Sequence, residues 1–104
     1  MYVLADLRTH SFDLMEPHDC QNFSVRVVGR GDLHDLEQTL SECGVVEDDH
    51  VWVDVDAVRR LALFSTAQGW DTDFAAMVDY ARGKGWLDED HGRIRAHIEW
   101  PGAD

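Results

Sequence analysis

From Arg93 to Trp100 polar and apolar residues alternate without a break. Ile94, Ala96, Ile98 and Trp100 fall on one side, Arg93, Arg95, His97 and Glu99 on the other. A period of two places successive side chains on opposite faces, so this stretch predicts a strand with one buried face. Phe23 to Gly29 follows the same rule, with Phe23, Val25 and Val27 opposed to Ser24, Arg26 and Val28. His50 to Val55 does so too, with Val51, Val53 and Val55 on one face and Trp52 on the other. Helical spacing appears three times. Leu33, Leu36, Leu40 and Cys43 follow Asp32, whose carboxylate can accept from first-turn amides, and Gly44 is expected just past the helix end. A helix over Asp56 to Phe64 carries Val58, Leu61 and Ala62, with Ser65 as the next candidate on its stripe, Asp54 or Asp56 as a cap and a break at Gln68-Gly69. A helix over Thr72 to Gly83 carries Phe74, Met77, Val78 and Ala81, capped by Asp71 or Thr72.

The remaining segments are less regular. Tyr2 to Leu7 alternates well enough for a strand, Thr9 to Asn22 reads as an ordered loop or partial strand, and Glu47-Asp48-Asp49 as a polar turn. Trp86-Leu87 and the last strand form a hairpin around Gly92. The expectation is one α+β domain over residues 1–104, with about four mostly antiparallel strands and three helices packed on one face.

From His50 onward the order strand, helix, turn, helix, hairpin resembles the back half of a winged helix. A DNA-reading helix of that fold presents Arg, Lys, Asn or Gln to base edges. Here the helix in that place offers Asp71, Asp73 and Asp79 before Arg82 and Lys84, and the would-be wing carries Asp88-Glu89-Asp90. A winged-helix-like scaffold that does not read nucleic acid is the form consistent with both observations.

Charge extends that conclusion to the whole chain. The 104 residues carry 21 acids and 9 bases, a formal net charge of −12. Residues 1–49 hold 11 acids and 3 bases, so the acidity is not confined to a tail. Such a field repels phosphate backbones and anionic lipid and favours basic partners. No run approaches the length of a membrane span. Met1 to Arg8 contains Asp6 and lacks the basic start of a signal peptide. Cys20 and Cys43 are too few for a disulfide framework. A cytoplasmic location is expected.

Candidate chemistry is sparse. His97, flanked by Arg95 and Glu99 on one strand face, could move a proton while a cation holds an anionic substrate; the same alternation also describes a solvated strand face. His50, Asp54 and Asp56 share one parity and are the best metal candidates, with His18 and Cys20 a looser pair, but no H-x-x-x-H or C-x-x-C spacing is present. Cys20 as a nucleophile needs a neighbouring base that the sequence does not supply. Gly29-Arg30-Gly31-Asp32 precedes a helix, yet Asp32 would compete with any anion there. No nucleotide-binding glycine motif occurs, and no cofactor is expected. Four tryptophans say more. Trp86 and Trp100 read as core, whereas Trp70, in a Gly69–Asp71 turn, and Trp52 read as exposed anchors for a partner.

The phrases Val51-Trp52-Val53-Asp54-Val55-Asp56-Ala57-Val58-Arg59-Arg60-Leu61-Ala62, Gly85-Trp86-Leu87 and Arg95-Ala96-His97-Ile98-Glu99-Trp100 resemble a small uncharacterised actinobacterial protein family. The resemblance covers about half the chain and implies no activity or site. The leading expectation is a non-enzymatic acidic accessory or protein-interaction module, with a protein partner or a second copy in a homodimer. The alternative is a small enzyme or anionic-ligand binder built on the His97/Arg95 face. A degenerate winged-helix regulator comes third.

Overall fold

A computed structural model describes residues 1–63 and 69–101. Seven strands form one mixed sheet. Its elements are β1 (Tyr2–Asp6), β2 (Ser11–Met15), β3 (Ser24–Val28), α1 (Leu33–Thr39), β4 (Gly44–Glu47), β5 (His50–Asp54), α2 (Val55–Ala62), α3 (Trp70–Lys84), β6 (Leu87–Asp88) and β7 (Arg93–Glu99). The strand order is β2-β1-β3-β7-β5-β4, with β6 also paired to β7. β1–β3 and β3–β7 are parallel, and the other pairings are antiparallel.

The α+β class and three helices stand, but four mostly antiparallel strands and a winged-helix-like C-terminal half do not. In a winged helix the last hairpin is a peripheral wing. Here β7 is the central strand, bonded to β5 on one side and to β3 and β6 on the other, and β6 is only two residues long. Two strands escape the pattern. β2 is an edge strand whose one buried residue is Leu14, too little alternation to stand out. β4 begins at Gly44, expected to end α1. A Cβ there would overlap the Trp52 backbone carbonyl, so the close approach of β4 to β5 demands glycine.

Register gives the sheet two chemically distinct faces. Val3, Ala5, Leu14, Val25, Val27, Val51, Val53, Ile94 and Ala96 are buried, and with Leu36, Leu40, Val58, Phe74 and Val78 of the helices they form one core. The other face carries Tyr2, Leu4, Arg26, His50, Trp52, Asp54, Arg93, Arg95, His97 and Glu99, all half-buried or exposed.

Capping follows expectation at α1, does so by position alone at α2, and departs from it at α3. At α1 Asp32 accepts from the Asp35 amide at 3.1 Å while Asp35 accepts from the Asp32 amide at 2.9 Å, a reciprocal box. At α2 the cap position is Asp54, without a side-chain cap bond, and Asp56 lies inside the helix. α3 starts two residues early, behind Gly69 (φ +94°), so neither Asp71 nor Thr72 caps it. Phe64, Ser65 and Gln68, expected at the end of the second helix, lie outside the described residues. Among the described residues no helix is long and apolar enough to cross a membrane.

Three of the four tryptophans reverse their expected roles, whereas Trp52 lies half-buried on the open face. Trp70 is 4% exposed, stacked on Phe74 at 4.8 Å between ring centroids, and donates from its indole N–H to the Pro17 carbonyl at 2.6 Å. Trp86 and Trp100 are 41% and 39% exposed. Large-to-small substitution of a buried aromatic costs about 3–5 kcal/mol. Trp70→Ala is expected to lose that much in urea unfolding, whereas Trp100→Ala loses about 1 kcal/mol or less, as surface changes do. Equal losses at the two positions would contradict the burial described.

Candidate functional site

Two regions have the chemistry of a site: the uncovered sheet face and a cleft beside α3. The open face gathers most of the residues that the sequence singles out. His50 is the register partner of His97, Trp52 of Arg95 and Asp54 of Arg93. Arg95 Nη2 approaches His50 Nδ1 at 3.3 Å, and Asp49 Oδ1 lies 2.6 Å from the same nitrogen. One Nδ1 can either donate to Asp49 or accept from Arg95, not both. The shorter, charge-assisted contact with Asp49 is the favoured one.

The rest of this face is occupied by pairs. Arg93 Nε donates to Asp54 at 2.8 Å. Arg26 lies 4.0 Å from the Tyr2 ring centroid and donates from Nε to Glu99 at 3.3 Å. His97 Nε2 is 3.9 Å from the Glu99 carboxylate. The Ser24 hydroxyl foremost, and then the Arg26 guanidinium, hold the Glu99 carboxyl below its ordinary range despite partial desolvation. A carboxylate so held is a poor proton acceptor near neutrality. His97, 64% exposed, faces solvent rather than a walled volume. The candidates His97, Arg95, Glu99 and His50 are thus neighbours, but on a solvated face.

The expected metal set does not converge. Asp54 is engaged by Arg93, Asp56 is 85% exposed on α2 beside Arg59, and His50 leans on Asp49. Among the described residues no group of three or more His, Cys, Asp or Glu side chains could hold a metal ion. Trp52 is half-buried on the open face, with its indole nitrogen 3.4 Å from a Glu47 carboxylate oxygen.

The sequence reading misses the cleft. Its volume is about 610 Å³, within the range of small-ligand pockets. It arises where β7 changes neighbours. β6 pairs with Arg93 and Ile94, and β3 pairs with His97 to Glu99, so the two strands reach the same edge of β7 from opposite ends. Phe23, just ahead of β3, and Trp86, just ahead of β6, line the cleft at that interval. Its second wall is one flank of α3, where Asp73, Ala76, Met77, Tyr80 and Ala81 recur at helical spacing. Ala76 and Ala81 leave room that longer side chains would fill.

Both ends of that wall are fixed. Gly85 (φ +79°) closes α3, its N–H reaching the Arg82 carbonyl at 3.2 Å while Trp86 N–H reaches that of Ala81 at 2.9 Å. This paired closure is a Schellman motif. It sets Trp86 against Tyr80, edge to face at 6.1 Å. The third wall, His18 to Asn22, is tied down by the Trp70–Pro17 bond and by the Met1 amino group, which donates to the carbonyls of Asp19 and Asn22. Arg95 also lines the cleft, but its guanidinium reaches toward His50, which does not.

Neither cysteine is an activated thiol. Burial, with smaller contributions from Asp54 and Glu42, pushes Cys43 up to about 12. Burial, then the Asp73 charge, also raises Cys20, which lies in the cleft wall. No family model, curated protein or solved structure matches this chain significantly.

Cys43 supplies a pH test. Its folded pKa exceeds the unfolded value of about 8.5. Its contribution to stability is therefore complete below about pH 8.5 and is lost as pH rises toward the folded value. Thermal unfolding should fall more steeply between pH 8.5 and 10.5 for the native chain than for Cys43→Ala. Iodoacetamide at pH 8.5 should label Cys43 only on unfolding. Labelling of folded Cys43 at the rate of a free thiol would contradict its burial.

Proposed function

We propose that this chain is a non-enzymatic protein-interaction module that docks a basic partner on the cleft beside α3. The observation that carries the reading is the contrast between the two regions. The titratable groups on the open face are engaged with one another under solvent. The cleft instead offers an apolar and aromatic flank of α3 facing a more polar wall, with Tyr80 61% and Trp86 41% exposed. Large aromatic side chains left half in water at the rim of a concavity are the usual anchors of a protein contact. The acidic field of the whole molecule, −12, favours a partner of opposite sign and a fast, salt-sensitive association. Two free cysteines fit work in the cytoplasm, where thiols stay reduced.

Trp86 and Tyr80 take the binding role expected of Trp70, which is spent on the core. A second copy of the chain would meet the same acidic field, so a homodimer is disfavoured relative to a basic partner. The test places a photo-crosslinking residue at Tyr80 and, as a control, at His34 on α1. The expected outcome is a basic protein cross-linked from position 80 and not from 34, lost in Trp86→Ala and weakened about tenfold or more between 50 and 200 mM salt. Crosslinks from both positions, or crosslinks insensitive to Trp86→Ala, would sink the reading. A salt-insensitive homodimer in sedimentation velocity, broken by Trp86→Ala, would replace the basic partner by the chain itself.

A further inference from the structure

The cleft has one charged group of its own on the α3 wall. Asp73 lies two turns before Tyr80 on the same flank. Asp79 pairs with Arg82 and Glu89 pairs with Arg82, but among the described residues no ion pair engages Asp73. Its position in the first turn gives it a local electrostatic role, since α3 begins at a glycine without a side-chain cap and acids complement the positive end of the helix. Asp71 fills that role equally well and does not line the cleft. The helix end therefore accounts for an acid here, but not for one that lines the cleft.

The other wall group with a formal charge, Arg95, has its guanidinium 3.3 Å from the His50 ring on the open face. The cleft thus has apolar Ala76, Met77 and Ala81 on its α3 wall and polar Gln21 and Asn22 opposite. At Asp73 it has a carboxylate without an ion pair among the described residues, with the rings of Tyr80 and Trp86 further along. The Tyr80 ring already accepts a cation: Lys84 Nζ, one helical turn on, lies 5.5 Å from its centroid. A carboxylate and an aromatic face both favour a cation, and apolar walls between them favour an alkyl stem.

We infer that the cleft takes a lysine or arginine side chain of a basic partner segment, its alkyl stem against Met77 and Trp86 and its charged head held by Asp73. The inference rests on the cleft being the docking surface proposed above. Charge complementarity argues for this occupant over an acidic or neutral segment, since Asp73 would be desolvated beside it without compensation. Ala76 sets the depth of the trough. It is exposed, so lengthening its side chain fills the cleft without entering the core.

The test uses three capped pentapeptides on the 104-residue chain, alternating leucine with lysine, glutamine or glutamate, followed by amide and indole shifts in two-dimensional NMR. The lysine peptide is expected to shift the Trp86 indole and the Ala76 and Ala81 amides and to bind about tenfold tighter than the glutamine peptide. The glutamate peptide should show no saturable shift. Asp73→Asn should cut the lysine preference about fivefold or more, while Asp56→Asn, which changes net charge equally from an exposed site on α2, leaves it within about twofold. Ala76→Leu should abolish binding of the lysine and glutamine peptides while its spectrum stays folded.

Equal effects of Asp73→Asn and Asp56→Asn would overturn the inference, because the preference would then belong to the overall field. Shifts confined to His50, His97 and Trp52, which do not line the cleft, would overturn it by placing the peptide on the open face. Peptide discrimination that fails beside a Trp86-dependent crosslink leaves the docking surface standing and removes the cation. Discrimination without any crosslinked protein leaves the cation site standing and removes the partner.

Discussion

Backbone pairing along β7 holds this molecule together. β2, β1 and β3 form one block of the sheet, β4 and β5 another, and among the described residues no hydrogen-bonded ladder joins the blocks except through β7. β7 is also the last strand in the chain. Its parallel partner β3 lies some seventy residues earlier, so a long chain segment must be closed before that ladder can form, and closure of long loops carries an entropic cost. What offsets it is the apolar face of β7. Ile94 and Ala96 are buried against Val53 and Val51 on one side, and Ile98 packs against the core beside Val25 on the other. α1 crosses the same face, touching both β1 and β4, so helix and strand bridge the two blocks together.

The same strand decides where the chemistry goes. Because Ile94 and Ala96 must point inward, Arg93, Arg95 and His97 must point outward, and the register carries His50, Trp52 and Asp54 with them. The constellation that looks most like a reaction centre in the sequence is therefore the polar side of an amphipathic sheet. Its members satisfy one another: Asp54 with Arg93, Glu99 with Ser24 and Arg26, His50 with Asp49. Pairs of this kind on an exposed face contribute little to stability. They are better understood as the way a half-solvated sheet carries charge without self-repulsion.

Strands with strict alternation, β3, β5 and β7, were legible in the sequence, as were the apolar stripes of the helices. These depend on local periodicity, which a single chain displays. β2 and β4 were not, because an edge strand with one covered residue, or one opening on glycine, has no period to show. The tryptophans failed for a related reason. Gly69 and Asp71 around Trp70 suggest a turn, yet Trp70 precedes Phe74 by four, and Phe74, Met77, Val78 and Ala81 continue its stripe. Extending the stripe back one turn places Trp70 in the core, so the signal was present and outweighed by its neighbours. The cleft gave no such signal. Asp73, Ala76, Met77, Tyr80 and Ala81 are visible as a helical flank, but what that flank faces depends on β3 and β6 meeting β7, a contact between distant segments.

An open trough lined by aromatic side chains invites collapse, since closing it would bury the exposed apolar surface of Tyr80 and Trp86. The structure resists collapse on each wall. The two left-handed glycines that bound α3 fix its ends, and the closing motif at Gly85 leaves Trp86 little freedom to fold back onto Met77. The opposite wall cannot swing inward, because Pro17 is hydrogen-bonded to the indole of Trp70 and Asp19 and Asn22 are bonded to the Met1 amino group. Trp70, which reads as a partner anchor in the sequence, is instead the clamp between two walls of the cleft. Its burial lets Tyr80 and Trp86 stay in solvent, a division of labour among aromatic residues that composition alone does not reveal.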